Sequence, residues 1–171
     1  SIQQELKTLE RKINKNQMTT GGYSWFEGAK ENTYISTRIL EVMGKVLLLD
    51  HTLVNADMKS VAQKLVTYLD SDTTIFNPKY TYHNALDYLY ARHYWNGSHP
   101  LDQQKVAQLH MIIQKSSLTT ANQPAGLAAK AWVSSQIFGT GKTSNENKNR
   151  ITQEAISDDD KGLYWESNSR Y

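Results

Sequence analysis

One stretch of the chain limits the possible folds more than any other. Its apolar side chains recur at intervals of three and four residues, which places them on one face of an α-helix; they are Ile35, Ile39, Val42, Val46 and Leu49. A second apolar stripe, Leu40, Met43 and Leu47, runs beside the first. Because so wide an apolar surface is typical of an enclosed helix, we expect this helix to be buried around most of its circumference. Gly44 lies in its middle, where we expect another backbone to approach closely, since glycine otherwise costs roughly 1 kcal/mol relative to alanine.

Six further segments carry helical patterns joined by short connections. Their predicted inner faces include Met58, Val61, Ala62, Leu65 and Leu69 in one segment and Val106, Leu109, Ile112 and Ile113 in another. The residues that begin or end these helices include Asp57, Ser98–Pro100, Asn122–Pro124, Gly139 and Thr143. Only 3 prolines and 9 glycines interrupt the 171 residues, which favours long helices over many short strands. The sequence therefore predicts one all-α domain over residues 1–171, in which successive helices pair as hairpins that stack into a solenoid or a closed ring.

Composition excludes several classes of function. The 19 basic and 17 acidic residues leave a net charge of +2, so no global charge points to nucleic acid. The chain has no cysteine, which excludes disulfides, thiolate metal sites and a Cys nucleophile within these residues. The longest apolar run, Val46–Leu49, is far shorter than the ~20 residues of a membrane span. Because the chain starts at Ser1 inside a helical pattern, we expect it to be an excised part of a larger multidomain protein.

Three features suggest chemistry, and each has a simpler structural interpretation. Gly139–Thr143 is similar to the end of a phosphate-binding loop, but Gln136 stands where that motif requires its first glycine, and a helix precedes it. The acidic run Asp158–Asp160 lacks the Gly and terminal Glu of a calcium loop and is typical of a solvated turn. The five histidines form no metal-ligand pair at helical spacing, and His93 is expected to pack among aromatic neighbours. We predict no catalytic, cofactor-binding or metal-binding residue.

Two stretches combine glycine with aromatic residues. The first contains Gly21, Gly22, Tyr23, Trp25 and Phe26 and leads to Tyr34; the second, Gly162–Trp165, ends on Trp165. Paired glycines predict a turn with a positive φ at Gly22, followed by a short extended segment. These aromatic side chains either pack a turn between helices or contact a partner, and the residue pattern leaves both possibilities open. Our structural and interaction candidates are Gly21, Gly22, Tyr23, Trp25, Phe26, Tyr34 and Trp165.

The first stretch also resembles a known family. Gly21–Gly28 (GGYSWFEG) followed by Tyr34–Glu41 (YISTRILE) is similar to the helical thioester-type domain of alpha-2-macroglobulin-like proteins, most closely the large bacterial members. In that family a Gly-Gly-aromatic stretch precedes an inner helix that begins with Tyr, a hydrophobic residue and Thr. Gly162–Trp165 looks like the aromatic opening of a further helical hairpin there. The specific part of the resemblance covers about twenty residues. The rest of the chain agrees with the family only in the succession of its helices.

The resemblance implies a fold and a function. The fold is an α/α toroid of stacked helical hairpins with inner and outer helices, here a partial toroid. The function is that of a segment of an exported, broad-spectrum endopeptidase inhibitor, whose partners are peptidases and neighbouring domains of the same parent chain. Many members use a Cys-x-x-Gln thioester to couple to the peptidase. This chain has no cysteine, so no thioester residue carries over, and the piece is expected to be non-catalytic and without a cofactor.

Two alternatives stay open at this point. A toroid enzyme of the terpenoid-cyclase or prenyltransferase kind requires an acidic cluster in the ring cavity, whereas the one Asp cluster here is predicted to lie in a loop. A generic helical binding scaffold would show a repeat period of roughly 34–45 residues, and we find none. The peptidase-trap interpretation is therefore the leading hypothesis.

Overall fold

The computed structural model describes residues 2–77, 82–114, 125–139, 144–160 and 162–164. Within these ranges the chain forms seven α-helices: α1 (Ile2–Asn16), α2 (Thr33–Leu49), α3 (Ala56–Ser71), α4 (Tyr82–His93), α5 (Gln103–Gln114), α6 (Ala125–Phe138) and α7 (Ser144–Glu154). A three-residue 3-10 helix, His51–Leu53, follows α2. The chain then forms a small antiparallel hairpin of β1 (Ile156–Asp158) and β2 (Gly162–Tyr164). The all-α prediction is confirmed for the described residues.

Contacts divide the chain into two compact units. The first comprises Ser1–Asn77 and Ala91–Asp102, and the second comprises Pro78–Tyr90 and Gln103–Tyr171. Helix α4 contributes to both because the boundary falls after Tyr90. That residues 1–171 form a single domain stays a prediction, as does the ring arrangement of the hairpins.

Asparagine side chains begin the two central helices of the first unit. The Asn32 side-chain oxygen accepts a hydrogen bond from the Ile35 backbone N–H at 3.0 Å and thereby caps α2. The Asn55 oxygen accepts from the Met58 N–H at 2.9 Å and caps α3. The prediction that Asp57 caps α3 is wrong, since Asp57 lies within the first turn. Its carboxylate is favourable there because the amino end of a helix carries a partial positive charge.

The core of the first unit lies between α2, α3 and residues 91–102. Helices α2 and α3 pack against each other, and α1 packs against α3. The buried face of α3 has the predicted spacing and consists of Met58, Val61, Ala62, Leu65, Val66 and Leu69. From the other side, the Trp95 indole N–H donates to the Leu40 carbonyl oxygen of α2 at 3.2 Å. This bond gives the buried indole a partner, as a polar atom removed from water requires.

The prediction that α2 is buried around most of its circumference is wrong. The buried side carries Ser36, Thr37, Leu40, Glu41, Met43 and Gly44. Val42, Leu48 and Leu49 are exposed, although all three are strongly apolar. Burial follows the position of the packing partners, and in the described residues these lie against the side that bears Leu40 and Gly44. An apolar pattern shows which residues share a face, but not which neighbour covers it.

Close packing at Gly44 is confirmed, with a side chain as the neighbour in place of the expected backbone. A Cβ atom built at Gly44 would lie 2.5 Å from both Cβ and Cγ of Tyr94. Such distances are well inside van der Waals contact, so glycine is the residue that admits Tyr94 against α2.

Gly44→Ala should therefore lower the free energy of unfolding by about 2 kcal/mol, because overpacking outweighs the gain in helix propensity. Gly126→Ala is the matched control: Gly126 also lies in a helix, but a Cβ there meets nothing within 4 Å. The control should be neutral or stabilising by up to about 1 kcal/mol. Urea denaturation of both variants measures the difference, and equal effects would contradict the close packing of Tyr94 on α2.

The second unit contains a pair of packed helices followed by the hairpin. Helices α6 and α7 pack against each other, and small residues such as Ala128 and Ala131 are buried on α6. Helix α5 buries Val106, Leu109 and Ile112, as its spacing predicts. In the hairpin, Ile156 pairs with Tyr164 and Asp158 with Gly162. The extended character of the second glycine-aromatic stretch is thus confirmed for Gly162–Tyr164, whereas β1 was not predicted.

No helix in the described ranges is both long enough and apolar enough to cross a bilayer.

Candidate functional site

The first glycine-aromatic stretch forms a tight turn between α1 and α2. The turn closes through two backbone hydrogen bonds, from the Met18 N–H to the Gly22 oxygen at 3.0 Å and from the Gly21 N–H to the Met18 oxygen at 2.9 Å. The Gln17 amide fixes the turn to α3, because its Nε2 donates to the oxygens of Gly21 (3.0 Å) and Val61 (2.9 Å). The turn is therefore held in one position on the surface of α3.

The two glycines serve this turn for different reasons. Gly21 has a φ of +93°, a conformation that L side chains rarely adopt, and its Cβ position lies 2.4 Å from the Lys64 backbone oxygen. Gly22 does not have a positive φ, so the prediction for its backbone is wrong. Glycine is needed at this position because a Cβ atom would lie 2.8 Å from the Tyr68 ring. The sequence correctly predicted a turn at these two glycines, but the residue with the positive φ is Gly21.

Tyr23 anchors the turn to both flanking helices. The side chain is only 3% exposed, and its hydroxyl donates to the Ile13 carbonyl oxygen near the end of α1 at 2.8 Å. Its backbone N–H donates to the Ser36 Oγ atom of α2 at 2.9 Å. Burial raises the pKa of Tyr23 far above its ordinary value, so the hydroxyl remains protonated and available as a donor. Tyr23 is thus a core residue of the fold.

The next two aromatic residues point to solvent. Trp25 is 61% exposed and Phe26 is 71% exposed. The Trp25 ring stacks on Tyr34, with ring centroids 6.0 Å apart and planes inclined by 20°. A bend between them and α2 is stabilised by the Ala29 N–H, which donates to the Phe26 oxygen at 3.1 Å. Exposed, well-positioned aromatic side chains are typical anchors of protein interfaces. We call residues 24–29 the aromatic loop.

A groove separates the aromatic loop from the end of α1. It encloses about 450 Å³ and is lined by residues 15–18 on one side and by the aromatic loop on the other. Its lining includes one cation, Lys15, and one carboxylate, Glu27. The size suits a few side chains of a partner segment, and the apolar part of the lining consists of Met18, Trp25, Phe26 and Ala29.

Several other predicted features lie outside this site. Gly139 follows α6 and donates its N–H to the Ser135 oxygen at 3.0 Å, which confirms the helix-end interpretation, while Thr140–Thr143 lie outside the described residues. Asp158 belongs to β1, and its Oδ1 accepts from the Asp160 N–H at 3.0 Å, as in an ordinary turn. The His93 ring lies 3.8 Å from the Tyr94 ring, as its aromatic surroundings predicted. Trp165 also lies outside the described residues.

Two buried charged residues were missed by sequence reasoning. Glu41 is buried on α2, where its carboxylate accepts from Arg38 at 2.8 Å and from Lys45 at 2.6 Å. The helical spacing of these three residues was an available signal. Arg92 is fully buried on α4 and forms a two-pronged ion pair with Asp70, with nitrogen–oxygen distances of 2.9 and 3.2 Å. This pair joins segments 22 residues apart, so no local pattern could indicate it.

Comparison with protein-family models, curated proteins and solved structures finds no match to this chain.

The division between buried and exposed aromatic residues leads to a prediction. Trp25→Ala and Phe26→Ala should each change the free energy of unfolding by less than about 1 kcal/mol, because neither side chain is enclosed. Tyr23→Ala, in the same turn, should cost about 3–5 kcal/mol. Urea denaturation followed by circular dichroism measures all three. A loss above about 2 kcal/mol for Phe26→Ala would contradict an exposed loop.

Proposed function

We propose that residues 1–171 are a non-catalytic helical segment of an exported alpha-2-macroglobulin-like peptidase trap, in which the aromatic loop docks a neighbouring domain of the parent chain. The observation that carries the proposal is the split within one turn. Gly21, Gly22 and Tyr23 pack closely against neighbouring residues, whereas Trp25 and Phe26 in the adjoining aromatic loop are mostly exposed. A turn that served the fold alone would gain nothing from two exposed aromatic residues.

The proposal also draws on the resemblance of Gly21–Gly28 and Tyr34–Glu41 to the helical domain of that family. The helical pairs α2–α3 and α6–α7 are compatible with stacked hairpins, and we propose that they form part of an α/α toroid completed elsewhere in the parent. Without cysteine, a covalent thioester step cannot take place in these residues. Their role would be to position other domains and to transmit their rearrangement.

The test uses the intact parent protein and a panel of endopeptidases. A trap encloses the peptidase, so we expect the parent to reduce cleavage of a large protein substrate at least about tenfold, while cleavage of a small peptide substrate changes less than about twofold. Trp25→Ser combined with Phe26→Ser should abolish most of the protection of the large substrate, because the docking contact is lost.

The matched control is Leu9→Ser combined with Met111→Ser. These side chains are also exposed, at 55% and 53%, but neither belongs to the aromatic loop or lines its groove. The control should retain protection. An intact parent that never protects the large substrate would refute the trap, and would favour the scaffold or enzyme alternatives. Protection that survives the Trp25 and Phe26 changes would refute the docking role.

A further inference from the structure

The outward face of α2 is a second unusual surface of the first unit. Residues at intervals of four, four, three and four share this face, which we call the α2 stripe: Tyr34, Arg38, Val42, Lys45 and Leu49. Val42 is 56% exposed and Leu49 is 85% exposed, and the half-buried Ile35, Ile39 and Val46 border them. The stripe is continuous with the aromatic loop, because Trp25 stacks on Tyr34. It extends roughly 22 Å along the helix axis.

The charges on the α2 stripe have one sign. Helix α2 contains three charged residues, and the two on the stripe, Arg38 and Lys45, are both cations. Their common partner Glu41 is buried, so its carboxylate is not presented on the stripe. The three formal charges sum to +1. The surface therefore alternates apolar and cationic side chains, with the cations seven residues, or roughly 10 Å, apart.

This charge pattern disfavours a second copy as the occupant. If two copies paired antiparallel about Val42, Arg38 of each would lie opposite Lys45 of the other. A parallel pairing would place each cation beside its own counterpart. Both arrangements bring like charges together in a desolvated contact, which costs free energy and opposes association.

The pattern also disfavours a lipid surface. Helices that lie on membranes carry several cations on a polar face, so that the charges reach the headgroups while the apolar face enters the lipid. Here the two cations lie between the apolar residues on one face, so they would enter the lipid together with those residues. A net charge of +1 gives an attraction to anionic lipid of only about 1 kcal/mol.

We infer that the α2 stripe docks an amphipathic α-helix whose apolar face is flanked by carboxylates about two turns apart. Apolar side chains at three- and four-residue spacing on that helix would pack against Tyr34, Val42 and Leu49, the pattern by which helices bind apolar surfaces. Its carboxylates would meet Arg38 and Lys45. This inference goes beyond the peptidase-trap proposal and does not depend on it, since it concerns a different surface and a specific partner chemistry.

The test measures binding of two designed peptides to the full 171-residue chain. Both are Ala-rich helices of about 20 residues with leucines at three- and four-residue spacing, and they differ in carrying Glu or Lys at the flanking positions. Fluorescence anisotropy of labelled peptides should give at least about tenfold tighter binding for the Glu peptide, and added salt should reduce this preference.

Val42→Glu introduces a negative charge in the centre of the stripe. The new carboxylate lies at helical spacing from Arg38 and Lys45, so the fold should tolerate it. It should weaken binding of the Glu peptide at least about tenfold. Leu49→Glu, at the end of the helix, should act in the same direction and provides a second variant if the first unfolds. Leu9→Glu, at a leucine of α1 that is as exposed as Val42, should change binding less than about twofold.

Three outcomes would overturn the inference. The two peptides could bind equally within about twofold, or neither could bind at millimolar concentration. Sedimentation velocity could show a dimer of the chain that Val42→Glu abolishes, which would make a second copy the occupant. Vesicles of phosphatidylcholine and phosphatidylglycerol in equal parts could bind the chain in a manner that Val42→Glu abolishes, which would make lipid the occupant.

Discussion

Asp70→Asn should lower the free energy of unfolding by about 3–5 kcal/mol, a loss as large as the one expected for Tyr23→Ala. Arg92 is fully buried, and Asp70 binds its guanidinium through both carboxylate oxygens. The same guanidinium donates to the His99 carbonyl oxygen at 2.7 Å. Asparagine keeps the shape of the side chain but removes its charge, which leaves a buried cation without a counter-ion. Urea denaturation followed by circular dichroism measures the loss.

Two further variants separate this mechanism from a general loss of packing. Combining Asp70→Asn with Arg92→Met removes both charges, and should recover at least about 1 kcal/mol relative to Asp70→Asn alone. Glu154→Gln breaks the ion pair with Arg150 within α7, which has an oxygen–nitrogen distance of 2.7 Å and a half-exposed carboxylate. That control should cost less than about 0.5 kcal/mol, because surface ion pairs contribute little. Equal losses for Asp70→Asn and Glu154→Gln would contradict the burial of the Asp70–Arg92 pair.

Gly21→Ala should cost about 2–4 kcal/mol, a large loss for the addition of one methyl group. Two penalties combine there. The positive φ disfavours any Cβ, and the Cβ position also meets the Lys64 backbone oxygen at 2.4 Å, a neighbour that cannot rotate away. Relief of that contact would move the whole turn away from α3. The exposed aromatic loop that follows would lose its fixed position, which would connect stability to the proposed docking function.

Gly28→Ala distinguishes the two penalties at Gly21. Gly28 also has a positive φ, +83°, but its Cβ position meets nothing within 4 Å. It should cost only about 1 kcal/mol, the backbone contribution alone. Thermal unfolding of both variants, monitored by circular dichroism, gives the comparison. If Gly21→Ala and Gly28→Ala were equally destabilising, the close packing of the turn on α3 would be refuted.

Part of the candidate site could be predicted from sequence because its signals are local. Paired glycines beside aromatic residues indicated a turn, and the structure has a closed turn over residues 18–22 that includes both glycines. Which of the aromatic residues are buried and which are exposed could not be predicted. Tyr23 is buried where Ile13 and Ser36 form hydrogen bonds with its polar atoms, while Trp25 and Phe26 are mostly exposed. These side chains are all aromatic, so whether each one is buried depends on the position of the neighbouring helices and not on its residue type.

The sequence by itself determined the positions of the helices and the faces that their residues share. Apolar spacing and capping side chains act over three or four residues, so the inner face of α3 from Met58 to Leu69 followed directly from the pattern. Only the tertiary structure decided which side of α2 is covered. Its contacts come from distant segments, such as the bond between Leu40 and Trp95, 55 residues apart. The periodicity of one helix contains no information on the position of such a partner, because burial is a property of two surfaces and not of one.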